Sequence, residues 1–185
     1  MTEALLLIDY SNDFVALDGK LTCGEPAIAL EETMVQKWEA YMKKGAPIFI
    51  LMDMHFENDT LHPESKLFPP HNIKGTDGRY LYGQLHDLYL RDQDQPNVFW
   101  IDKMRYSAFS GTPLLQLLRE RKINRIELAG VCTDICVLHT AVDGYNLGFD
   151  MFVDERAVAS FNLDGHNFAL AHFKNVLGMT VEEID

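Results

Sequence analysis

Five short apolar runs punctuate the chain: "ALLLID" (4–9), "PIFILM" (47–52), "NVFWID" (97–102), "RIELAG" (125–130) and "FDMFVD" (149–154). "MTVEEI" (179–184) is a weaker sixth. None alternates apolar with polar residues, as a strand with one wet face does. Runs of this kind suit a parallel sheet covered on both faces. Parallel neighbours need crossover connections, and helical patterns lie between the runs. "EETMVQKWEAYMKKG" (31–45) puts Met34, Trp38 and Tyr41/Met42 on one face, with Gly45 as a C-terminal stop. "TPLLQLLRERK" (112–122) opens with Thr112 as N-cap and Pro113 at the first helical position. "TDICVLHTAVDGYNLG" (133–148) and "DGHNFALAHFKNVLG" (164–178) each run to a terminal glycine. The pattern predicts a three-layer α/β/α fold with a mostly parallel, about six-stranded Rossmann-like sheet. At 185 residues, with no repeat or linker, one domain over 1–185 is the economical reading.

In open sheets of this kind, ligands bind outside the carboxyl ends of the strands. The residues just past each run therefore matter most. Asp9 follows "LLLI"; Asp53 and His55 follow "FILM"; Asp102 and Lys103 follow "VFWI"; Cys132, Thr133 and Cys136 follow "IELAG". Acid, acid plus imidazole, amine and thiol thus converge on one sheet edge.

Asp9, Lys103 and Cys136 form a first cluster. A thiol with a pKa of about 8.5 is mostly protonated at neutral pH and needs help to become a nucleophile. A carboxylate whose own pKa is raised by burial can take that proton, and an ammonium favours the thiolate. A helix N-terminus beside Cys136 adds to that preference and can present N–H groups to an oxyanion. The chemistry is attack on a carbonyl, a thioester, then attack of water. Each residue also has an ordinary use: turn or cap for Asp9, solvated cation for Lys103, small buried apolar group for Cys136. Cys132 and Cys136, four apart, would sit side by side on one helical turn. They could be a metal clip, a redox pair, or one nucleophile with a neighbour of another role.

The second cluster lies in "DMHFENDTLHPESKLFPPH" (53–71). Asp53 and His55 converge if the backbone bends beyond the strand, and Glu64 and His71 follow in a proline-broken loop. Two imidazoles and two carboxylates suit Zn²⁺, Mn²⁺ or Fe²⁺. A polar surface loop would read the same way, and His62, Glu57 and Asp59 offer further donors. His62 is the alternative to Glu64, imidazole being the commoner transition-metal ligand.

"LLLIDYSNDF", a strand followed by "DMH", then "FPPHNIKGTDG", "IDKMRYSAF" and "AGVCTDICV" occur in this order. Together they resemble the isochorismatase-like cysteine hydrolases over nearly the whole chain, and the metal-type loop resembles the nicotinamidase branch. The resemblance implies Asp9 as general base, Lys103 as supporting amine and Cys136 as nucleophile. It implies an oxyanion hole at the backbone of Cys132 and Cys136, with a cis peptide at Val131–Cys132. It places the metal ligands at Asp53, His55, His71 and an intermediate residue, assigned to Glu64 with His62 and Ser65 as alternatives. One divalent ion is implied, Zn²⁺ ahead of Mn²⁺ or Fe²⁺, holding the pyridine nitrogen of the substrate. Phe14, Phe68 and Tyr106 fall where pyridine-stacking residues lie. The implied reaction deamidates nicotinamide, and also pyrazinamide, in NAD salvage. On this reading "GVCTDICV" is neither clip nor redox pair, and the Cys132 sulfur is replaceable.

A net charge of −12 argues against nucleic acid or an anionic membrane as partner. No apolar run is long enough for a span and no leader pattern opens the chain, so a cytoplasmic protein with free thiols is expected. A homo-oligomer is the expected assembly. Rival readings are a cysteine amidase for another aromatic or carbamoyl amide, and a non-catalytic metal-binding α/β module. A nucleotide-binding flavodoxin-like domain would want a G-x-G-x-x-G loop after the first strand, which "LLLIDYSNDF" lacks.

Overall fold

The structure, a computed structural model, describes residues 2–182. In chain order its regular elements are β1 (Glu3–Ile8), α1 (Asn12–Val15), α2 (Glu25–Ile28), α3 (Glu31–Lys44), β2 (Ile48–Asp53), α4 (Gln84–Asp92), β3 (Val98–Lys103), α5 (Leu114–Glu120), β4 (Arg125–Val131), α6 (Leu138–Asn146), β5 (Asp150–Ala159), α7 (Leu163–Asn175) and β6 (Thr180–Glu182). The six strands form one sheet in the order β3-β2-β1-β4-β5-β6. Every pairing is parallel. The sheet is the one expected; residues 183 and 184 of the weak sixth run lie outside the described residues.

The unbroken apolar runs have the cause inferred from them. On β1, Leu5 and Leu7 face a layer holding Met34 and Trp38 of α3 and Leu85 of α4. Ala4, Leu6 and Ile8 face the opposite layer, with Leu114 and Leu118 of α5 and Phe173 of α7. A strand buried on both faces has no position for a solvated side chain. α3 ends at Gly45 in the left-handed conformation (φ 63°), as the sequence indicates. Trp38 donates its indole N–H to Asp92 Oδ2 at 2.8 Å, joining α3 to α4, which the sequence reading missed.

Three local expectations need correction. α5 begins at Leu114, with Pro113 as its cap; Thr112 Oγ1 instead accepts from the Leu114 N–H at 3.3 Å. β5 runs ten residues rather than stopping at 154, because Asp154 is neutralised by Lys37 at 2.9 Å and Arg156 at 3.0 Å. The segment after β4 is not one α-helix: Thr133–Val137 forms a π-helical turn, and α6 starts only at Leu138.

Chain order reverses beside β1: β2 leaves to one side of it and β4 lies on the other. That switch point opens a crevice at the strand ends. Gly130 controls how closely its walls approach. It has φ 124°, and a Cβ there would lie 1.9 Å from the Ile8 carbonyl oxygen. The β4–β5 register also shifts between Leu128 and Gly130.

Candidate active site and metal centre

The register of the sheet levels the ends of its strands. Asp53 is the direct partner of Lys103 across β2 and β3, and Asp9 N–H donates to the Leu51 carbonyl at 3.0 Å. Asp9 itself sits in the left-handed region (φ 55°), where Asp is among the tolerated residues. That turn takes the chain out of the sheet and leaves the carboxylate in the crevice. Asp9 Oδ1 accepts from the Asp53 N–H at 2.7 Å, and Oδ2 pairs with Lys103 Nζ at 2.7 Å.

Lys103 is the hub. It is 1% exposed, whereas its strand neighbour Asp102 points outward to Arg79 and Trp100. Its ammonium lies 3.6 Å from Cys136 Sγ, 3.7 Å from Asp53 Oδ1 and 3.2 Å from the Arg105 carbonyl. A lysine is buried this deeply only when paired. Burial works against its charge, but Asp9, Cys136 and Asp53 together hold its pKa above the ordinary value. Burial lifts the Asp9 carboxyl to about 6; Lys103 opposes the rise, Asp53 adds to it, and the Cys136 thiol opposes it. Burial also pushes the Cys136 thiol up, against the pull of Lys103. The resting pair is therefore a protonated thiol beside a carboxylate of raised basicity. That is the state from which an acid–base pair can begin.

Asp53 belongs to both clusters. Its Oδ2 lies 2.7 Å from His55 Nε2 and 3.5 Å from His71 Nε2, and His71 Nε2 lies 3.6 Å from Glu64 Oε2. One donor atom from each of Asp53, His55, Glu64 and His71 falls within 4.8 Å of all the others, and all four residues are buried. Burial opposes charge on Asp53, yet Lys103, His55 and His71 hold its carboxyl well below the usual range. Burial also works against the His71 cation, but Asp53 and Glu64 raise its pKa to about 10.

The donors fit a divalent ion. Asp53 Oδ1 and His71 Nε2 are buried without a hydrogen-bond partner. His71 Nδ1 lies 2.8 Å from the Pro69 carbonyl, the arrangement that fixes a ligand imidazole with its other nitrogen facing a metal. Two nitrogens and two carboxylates form a set suited to Zn²⁺, Mn²⁺ or Fe²⁺.

The competing donors are occupied elsewhere. His62 Nε2 lies 2.8 Å from the Met104 carbonyl, and its Nδ1 accepts from the Glu64 N–H at 3.3 Å. His62 caps a 3₁₀ turn, Pro63–Lys66, that contains Glu64; the turn directs Glu64 into the cluster and His62 toward the segment after Lys103. Ser65 Oγ donates to the His62 carbonyl at 2.7 Å.

Between the clusters lies a cavity of about 20 Å³ lined by Phe14, Phe68, Tyr106, Cys132 and Cys136, the expected residues. Asp53 and Glu64 also line it, and so do Leu21, Ile135 and Phe161, which were missed. It has room for about one water molecule. Phe161, 52% exposed, is the wall residue least held by packing. A larger surface hollow of about 440 Å³, beside Tyr80, Tyr89 and Trp100, contains none of the thiols.

The cysteines depart from the side-by-side geometry. Cys132 is extended (φ −83°, ψ 145°) after a cis Val131–Cys132 peptide, the peptide the resemblance implied. Its sulfur meets Cys23 at 2.9 Å. Cys136 lies one turn on, within the π-helical turn.

Fold and site together define an α/β protein with a buried carboxylate–amine–thiol cluster against an N₂O₂ cation site. Residues 3–184 match the Isochorismatase domain family, and the chain belongs to that family. It is 56% identical to the isochorismatase family protein PncA of Bacillus subtilis (strain 168) over 183 residues, 99% of this chain and 100% of that one. The crystal structure of nicotinamidase/pyrazinamidase PncA from Bacillus subtilis superimposes with a TM-score of 0.97 at 53% identity, covering 99% of this chain and 100% of that one. The pyrazinamidase of Pyrococcus horikoshii in complex with zinc gives a TM-score of 0.84 at 26% identity, covering all of both chains. Among the described residues, no helix is long and apolar enough to cross a membrane.

Proposed function

We propose that this chain is a nicotinamidase, a cysteine hydrolase that converts nicotinamide to nicotinate and ammonia and also accepts pyrazinamide. One observation carries the reading: Lys103 spans Asp9 at 2.7 Å and Cys136 at 3.6 Å, while its register partner Asp53 is shared with the N₂O₂ cluster. The nucleophile and the cation site therefore address two parts of one small molecule. The similarity to PncA proteins supports the same substrate class.

In the reaction, Asp9 takes the proton of Cys136 and the thiolate attacks the amide carbon. Lys103 keeps the sulfur anionic until the bond forms. The backbone N–H groups of Cys132 and Cys136 face the developing oxyanion. Asp9 returns its proton to departing ammonia, leaving a thioester. It then takes a proton from the water that cleaves the thioester and returns it to the Cys136 sulfur as the C–S bond breaks, and nicotinate leaves. Phe14, Phe68 and Tyr106 stack on the ring and exclude water. Asp53, His55, Glu64 and His71 would hold one divalent ion, Zn²⁺ ahead of Mn²⁺ or Fe²⁺, which would supply a Lewis-acidic position for the pyridine nitrogen.

The protein acts as one domain over 1–185, as a homo-oligomer of the cytoplasm in NAD salvage. Its charge keeps it from nucleic acid and anionic membranes. The test is ammonia release from nicotinamide by metal-loaded wild type, by wild type after chelation, and by Cys136→Ala. Release is expected only from the first. Equal release by Cys136→Ala would overturn the thiol mechanism, and full release after chelation would overturn the role of the ion.

A further inference from the structure

The proposed reaction uses one of three thiols. The other two lie together. Cys23 Sγ and Cys132 Sγ are 2.9 Å apart although 109 residues separate them in the chain. Both are buried, 4% and 6% exposed, in an apolar layer that also holds Tyr10, Phe14 and Ala159.

The contact is set by backbone on both sides. Cys23 N–H donates to the Phe14 carbonyl at 2.8 Å, and the adjacent Gly24 N–H donates to Thr22 Oγ1 at 2.9 Å. Leu21 N–H donates to the Asp13 carbonyl at 3.0 Å. On the other side, the Cys132 carbonyl accepts from Ile135 at 3.0 Å and Val137 at 3.2 Å. A disulfide needs the two sulfurs about 2.05 Å apart. Less than 1 Å of approach separates the pair from bonding.

We propose that Cys23 and Cys132 are a dithiol site that a peroxide closes, reversibly, to an intrachain disulfide. Cys132 lines the cavity that leads to Cys136, so it is the thiol a small oxidant reaches. Its sulfur attacks one peroxide oxygen and the O–O bond breaks. The departing hydroxide takes the thiol proton as water, leaving a sulfenic acid on Cys132. The Cys23 sulfur then displaces hydroxide from that sulfur, the S–S bond forms, and the Cys23 proton leaves with the hydroxide as a second water. Two electrons pass from the thiols to one peroxide. A dithiol reductant reverses the step by exchange.

The crosslink ties the 21–24 loop, which supplies Leu21 to the cavity wall, to the turn that precedes the nucleophile. Cys136 stays outside it. Closing so long a loop stabilises a domain of this size by a rise in Tm on the order of 10 °C.

The experiment treats metal-loaded full-length protein with hydrogen peroxide, then denatures it in iodoacetamide and measures mass and tryptic peptides. Reduced protein carries three alkylated cysteines. Oxidised protein is expected to yield a Cys23–Cys132 crosslinked peptide, a higher Tm, and return of both alkylation sites after dithiothreitol. Cys23→Ser should give no crosslink and no rise in Tm. The wild-type peptide map carries the test even if that variant folds poorly. A Cys132–Cys136 disulfide, an intermolecular disulfide, or oxygen adducts on Cys132 with Cys23 still alkylated would each overturn the proposal.

Discussion

Replacing Lys103 by methionine removes the one cation buried among Asp9, Asp53 and the Cys136 thiol while keeping most of the side chain's volume. At 2.7 Å from Asp9 and 1% exposed, its ammonium is shielded from bulk water. Breaking a buried pair by removing one partner costs about 3–5 kcal/mol, because the other charge is left unmatched. That is a large share of a total stability of about 5–15 kcal/mol. For a chain of this length, each 1 kcal/mol moves Tm by about 2–4 °C, so Lys103→Met should melt roughly 6–20 °C lower. Removing both charges should hurt less than removing one: Asp9→Asn/Lys103→Met should regain at least about 2 kcal/mol over Lys103→Met alone. Neither variant should release ammonia from nicotinamide. Urea titrations of wild type, both single variants and the double variant at pH 7 and fixed metal give the coupling energy. A double variant no more stable than Lys103→Met would refute the unmatched-charge argument, as would a single variant within about 1 kcal/mol of wild type.

Glu64→Ala should lose bound metal on dialysis, whereas His62→Ala, which removes only a support of the loop, should weaken retention about 10–100-fold; atomic spectroscopy decides, and the reverse ranking would make His62 the ligand. Cys132→Ala should keep nicotinamide turnover under reducing conditions while Cys136→Ala abolishes it, measured as ammonia release. Burial opposes charge on Asp154, but Arg156 and Lys37 hold its carboxyl below the ordinary 3.8. The stability it contributes is thus present above that value and is lost as pH falls through the lower, folded one. Asp154→Asn should therefore show a shallower loss of stability than wild type as pH falls from about 5 toward 3, read from urea midpoints.

The site was legible to the extent that it follows from strand ends. Asp9, Asp53 and Lys103 are each among the first polar residues after a run buried on both faces, and a parallel sheet brings such positions level. Cys136 followed from the same rule, although its turn is π-helical rather than α-helical. The choice between Glu64 and His62 was not legible from periodicity, since a 3₁₀ turn around Pro63 decides which one faces inward. Phe161 was missed for a traceable reason. Charges at Asp154, Glu155 and Arg156 look like the end of a strand, yet Lys37 and Arg156 satisfy Asp154 and the strand continues to Ala159. The same strand-end rule, applied to the true end, leads to Phe161. The Cys23–Cys132 contact joins segments 109 residues apart, and no local pattern encodes it.

The missing side chain at Gly130 works as a ruler. With 1.9 Å between the place a methyl would occupy and the Ile8 carbonyl, β1 and β4 approach here more closely than a side chain would allow. Asp9 follows directly on β1, and the Thr133–Val137 turn that carries Cys136 follows β4, so this close approach sets where both begin. The cation site is built differently: three of its four donors hang on the long excursion between β2 and α4. Asp53 alone joins the two, so most of the cation cluster rides on one excursion while the thiol cluster sits at strand ends. Grafting a different excursion could redirect which amide is held, while the ruler keeps the chemistry that opens it.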